Sequence, residues 1–153
     1  MYLFLKKKDL LHSRNITVNC FEVDENTLLV EGTLSDERLF PSIVYTANSM
    51  RDPGIVHMMS ISMTLSIPGL KIRQIDAEIT ASPIQGCSDI VTKLHQLEGI
   101  AIKSGFNNDV RKILGKAEGC IHLTNLILAM SSAAVQGLWA FFSRIRENGK
   151  PLM

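Results

Sequence analysis

The chain has 153 residues, enough for one domain with a proper core. Hydrophobic residues make up 46%, charged residues 20%, and the net charge is +1, so global charge gives no argument for nucleic acid or an anionic membrane surface. Three cysteines, an odd number, argue against a disulfide framework, and Lys6-Lys7-Lys8 follows the apolar residues 1–5, the reverse of a secretory signal. The expectation is one cytoplasmic domain over 1–153, mainly β from 14 to 81 and mainly α from 87 to 145.

Residues 16–23 are rich in β-branched and aromatic side chains and predict a strand. Asp24-Glu25-Asn26 makes the turn, and 27–34 returns as the second strand of a hairpin. Residues 35–53 have weak periodicity and two prolines, and read as a loop or an edge segment. Residues 55–67 alternate regularly: His57, Met59, Ile61, Met63, Leu65 and Ile67 share one face, which marks a strand buried on that side. Pro68-Gly69 signals a turn, and 71–81 alternates again. A tight turn there sets Ile67 against Leu70 and His57 against about Thr80, which brings Cys87 and His57 to the same end of the sheet.

Residues 88–98 carry Ile90, Val91, Leu94 and Leu97 at helical spacing and end at Gly99. Cys87 then stands at a helix N-terminus, where free backbone N–H groups favour a thiolate. Residues 106–114 predict a short helix closed by Gly115. A long apolar helix follows over about 123–142, with one stripe of Leu123, Ile127, Met130, Ala134, Leu138 and Phe141. A second stripe of Leu128, Val135, Trp139 and Phe142 is either buried too or offered to a homo-oligomer or protein partner. The helix nears membrane-spanning length, but Asn125, Ser131, Ser132 and Gln136 interrupt it, which favours burial in protein. No nucleic-acid or membrane partner is expected.

Cys120 and His122 sit just before this helix, after Gly119. Residues two apart on an ideal helix diverge, so the pair can share an ion only where the backbone is not yet regular. With His57 and Cys87 they give four soft or borderline donors, a set suited to zinc or iron and not to magnesium or calcium. The chain has no CxxC pair and no HExxH helix. Buried cysteine is also a small hydrophobe, and a histidine on a sheet face is also a hydrogen-bonded core residue. Cys20, His12 and His95 suggest no role, and Asp76 with Glu78 reads as a solvated face.

Gly54-Ile55-Val56-His57-Met58, Ile75-Asp76-Ala77-Glu78, Pro83 with Cys87, Leu97-Glu98-Gly99, Gly105-Phe106, Leu114-Gly115 and Gly119-Cys120-Ile121-His122-Leu123-Thr124 resemble the signature of a bacterial family, domain of unknown function 2889, over about 14–136. Met58, Lys116 and Asn125 depart from the Asp, Gly and Glu common in that family, and the resemblance implies no activity. In layout the chain also resembles U-type iron–sulfur cluster scaffolds. There too a ligand opens a strand hairpin, a Cys starts the next helix, and a His/Cys pair opens the last one. His57 stands in place of a Cys, and Met58-Met59 in place of the scaffold's assisting Asp.

The sequence therefore predicts an α+β fold, an antiparallel sheet packed on one face by three C-terminal helices. It predicts a protein that binds zinc, iron or an iron–sulfur cluster, a metal or cluster carrier or accessory factor, with His57, Cys87, Cys120 and His122 as ligands. The alternatives are a metal-free interaction module and a thiol- or zinc-dependent enzyme.

Overall fold

The computed structural model describes residues 7–45, 48–83, 89–115 and 119–152. In chain order the strands are β1 (His12–Asp24), β2 (Thr27–Arg38), β3 (Ser42–Val44), β4 (Ser49–Arg51), β5 (Gly54–Ser66) and β6 (Lys71–Ala81). Helices α1 (Asp89–Leu94), α2 (Phe106–Leu114) and α3 (Ile121–Ser143) follow, with a 3-10 turn at His95–Leu97 after α1. The main sheet is an antiparallel meander, β1-β2-β5-β6, and β3 with β4 is a small separate hairpin. The fold is α+β.

Period-two burial builds the core face. Leu28, Val30 and Leu34 of β2 and Met59, Ile61, Met63 and Leu65 of β5 are buried, while their neighbours turn outward. The helices cover this face: α3 lies on β1 and β2, α1 on β6, and α2 against α1 and α3. Leu123, Leu126, Ile127, Met130, Ala134 and Phe141 of α3 are buried, whereas Val135 and Trp139 of the second stripe are exposed. By length and composition α3 could cross a membrane; in the structure its buried residues face the sheet and α2.

Two expectations need correction. Residues 35–53, read as a loop or an edge segment, hold more strand than a loop would: β2 runs on to Arg38, and β3 and β4 pair as a separate two-stranded hairpin. The β5–β6 register also drifts. Next to the turn Ser66 pairs with Lys71, as a tight hairpin requires. Arg73 and then Thr80 are each left without an opposite residue, so pairing ends at Met58 with Ala81. Each bulge adds one residue to β6. His57 consequently lies beyond the β6 ladder and not opposite Thr80.

Part of the β6 edge is covered. Gly99 donates to Ile72 O at 2.8 Å, Ile72 to Ile100 O at 2.9 Å, and Ile102 to Leu70 O at 3.0 Å. Beyond α3, Arg144 and Arg146 both bind the Glu22 carboxylate, tying the chain end to β1.

Helix α3 sits close to the sheet because two glycines leave room for it. A Cβ on Gly32 would lie 2.7 Å from the Met130 side chain, whose flexible thioether can move aside. A Cβ on Gly137 would lie 2.2 Å from Cys20 Sγ and 2.9 Å from its Cβ, atoms fixed to β1. Gly137→Ala should therefore destabilise the protein by roughly 1–3 kcal/mol in urea unfolding. Adding Cys20→Ala should recover part of the loss, and additive effects would show that the two positions do not press on each other.

Candidate metal centre

The register of the sheet assembles a polar row at one end of the core. Arg14 of β1 pairs with Asp36 of β2, and Asp36 pairs with His57 of β5. Asp36 continues the inward set of Leu28, Val30 and Leu34 and is only 2% exposed. A carboxylate so buried needs partners. Arg14 supplies a bidentate pair, Nε to Oδ1 at 2.6 Å and Nη2 to Oδ2 at 2.8 Å. His57 Nδ1 lies 3.1 Å from Oδ2, and His12 Nε2 lies 3.3 Å from Oδ1.

Helix α3 brings the last member. Cys120 is its N-cap, in extended backbone, and His122 is the second helical residue. His122 Nε2 lies 3.5 Å from Asp36 Oδ2. Its ring stacks on that of His57, with centroids 3.9 Å apart and planes at 30°. On its other side, His122 Nδ1 is 4.0 Å from Cys120 Sγ. The non-helical backbone at Cys120 lets two side chains two residues apart approach each other.

Asp36, His57 and His122 each offer one donor atom, all within 4.8 Å of one another, a group able to hold a metal ion. Donors on a tetrahedral ion with bonds of about 2.0–2.1 Å stand about 3.3 Å apart. The observed 3.1 and 3.5 Å fall on either side of that value.

Charge favours donors ready to bind. The hydrogen bonds from Arg14, helped by its charge and those of the histidines, hold the Asp36 carboxyl below its ordinary range against the opposing effect of burial. Burial, then the neighbouring His57 and Arg14 charges, pushes His122 down, although Asp36 pulls the other way. A neutral imidazole keeps a lone pair free.

Of the residues expected from the sequence, His57, Cys120 and His122 come together, and Cys87 lies outside the described residues. Cys20 is elsewhere, packed on Gly137, with burial pushing its thiol up. His95 is at the surface, 3.0 Å from Glu98. The sequence singled out neither Asp36 nor Arg14, and gave His12 no role. Continuing the even-numbered inward pattern of β2 by two residues would have found Asp36.

In the unfolded chain the Asp36 carboxyl titrates near about 3.9. Its folded value is lower, so the ion pair stabilises the fold above that pH and the stabilisation is lost as acid protonates it. Arg14→Met should raise the Asp36 pKa in an NMR titration and move the acid-unfolding midpoint to higher pH. An unmoved midpoint would show that Arg14 contributes nothing to acid stability.

No curated protein and no solved structure matches the chain. The likeness to U-type scaffolds therefore has no support beyond the sequence itself. A family match spans residues 12–136, from the first residue of β1 to the middle of α3, and takes in the whole polar row with both histidines and Cys120. The chain belongs to the family described as protein of unknown function, DUF2889.

Proposed function

We propose that this protein binds one zinc or iron ion through His57 and His122, with Cys120 and Cys87 as its thiolate donors, and serves as a carrier or accessory factor. The observation that carries the reading is the convergence of two imidazoles, stacked at 3.9 Å, on one buried carboxylate. An apolar cluster of equal volume would fill the space without desolvating charge, which favours a role for the acid and its two histidines beyond packing. Their side chains stay 19% and 20% exposed, so an ion has a way in and out, as a carrier requires.

Protein purified without a metal-affinity tag should contain about one zinc or iron ion per chain by elemental analysis. His57→Ala and His122→Ala should each bring the content to background while circular dichroism stays unchanged. Thiolate and imidazole must shed protons to bind, so occupancy should fall on acidification. A fully folded, metal-free protein that takes up neither added zinc nor added iron sinks the reading.

A further inference from the structure

The imidazole pair has two sides, and only one of them faces Asp36. His57 Nδ1 and His122 Nε2 are directed to Asp36 Oδ2, at 3.1 and 3.5 Å. In a five-membered ring the second nitrogen points out of another edge, so His57 Nε2 and His122 Nδ1 are directed away from that carboxylate. Both rings also line a second cavity, with Met59, Ser82, Gly119 and Cys120, which Asp36 does not line. There Cys120 Sγ stands 4.0 Å from His122 Nδ1. Sulfur and nitrogen on one tetrahedral zinc stand about 3.6 Å apart, given bonds of about 2.3 and 2.0–2.1 Å. A small rotation of the thiol closes the difference.

The Asp36 side suits an ion less well. Arg14 already bonds both carboxylate oxygens, so a cation there would share its ligand with a guanidinium and face its charge. A carboxylate that accepts the N–H of a histidine instead fixes the tautomer and leaves the opposite nitrogen free to bind metal. Here the acid bonds the His57 ring at 3.1 Å and places its charge 3.5 Å from His122 Nε2.

We propose that Asp36 is a positioning residue and not a ligand, and that the ion sits on the opposite side, held by His57 Nε2, His122 Nδ1 and Cys120 Sγ. This deepens the metal-binding reading and rests on it. A site of imidazole nitrogen and thiolate sulfur takes borderline, thiophilic cations such as zinc or ferrous iron and leaves magnesium and calcium in solution. Loading parts the two rings, because imidazoles on one tetrahedral ion spread at roughly 109°.

Zinc K-edge X-ray absorption on the zinc-loaded full chain tests the assignment. The expected spectrum contains sulfur at about 2.3 Å, and Cys120→Ser removes one sulfur scatterer. Asp36→Asn keeps the sulfur but binds zinc about 10–100-fold more weakly, and Asp36→Glu, which restores a carboxylate, recovers part of the affinity. Excess magnesium displaces no zinc. Sulfur scattering unchanged by Cys120→Ser overturns the proposal, as does a wild-type shell of nitrogen and oxygen alone; both leave the metal-binding reading standing. Wild-type chain that takes up no zinc or iron defeats that reading itself. Should Asp36→Asn fail to fold, the comparison of wild type with Cys120→Ser still decides.

Discussion

A buried negative charge governs this architecture. Asp36 is buried on the inner face of the sheet, at the end of its apolar row, where an unpaired carboxylate would be costly. Its solution is to draw on three elements at once: the Arg14 fork from β1, the His57 ring from β5 and the His122 ring from the start of α3. Removing any of these partners leaves the charge less satisfied, so strand register and helix placement are bound to one another through a single side chain. The geometry of the imidazole pair follows from that arrangement.

The packing beneath supports the same alignment. Gly32 and Gly137 let α3 approach β1 and β2 closely, and this sets the height at which the helix starts over the sheet. Cys120, outside the regular helix, is free to turn its sulfur toward His122, while Thr124 returns its hydroxyl to Cys120 O at 2.9 Å and fixes that first turn. The donors therefore rest on regular elements at their ends, where direction is well defined and side chains still reach one another.

Much of this was legible in the residues. Strict alternation from Ile55 to Ile67 gave the central strand and placed His57 on its inner face, and the repeats of 106–114 and 123–142 gave two helices closely. The β6 bulges were not legible, because the two extra residues, Arg73 and Thr80, have ordinary strand character and only the neighbouring strand reveals them as unpaired. Asp36 was hidden for a different reason. Ser35-Asp36-Glu37-Arg38 is polar enough to suggest a loop, and partners from other elements, first of all Arg14 across the hairpin, make a buried acid affordable in that strand. Local composition cannot register a stabilisation that comes from 22 residues away.

Arg14 belongs to β1, a flank of the sheet whose outer side pairs with no strand among the described residues. Edge strands are the first part of a sheet to open. When the His12 end of β1 peels back, Asp36 loses the guanidinium that bonds both its oxygens, and the buried carboxylate is left with fewer partners. Fraying of that margin and loss of the charge balance around Asp36 are thus one event, so the outermost strand of the sheet holds the polar row together.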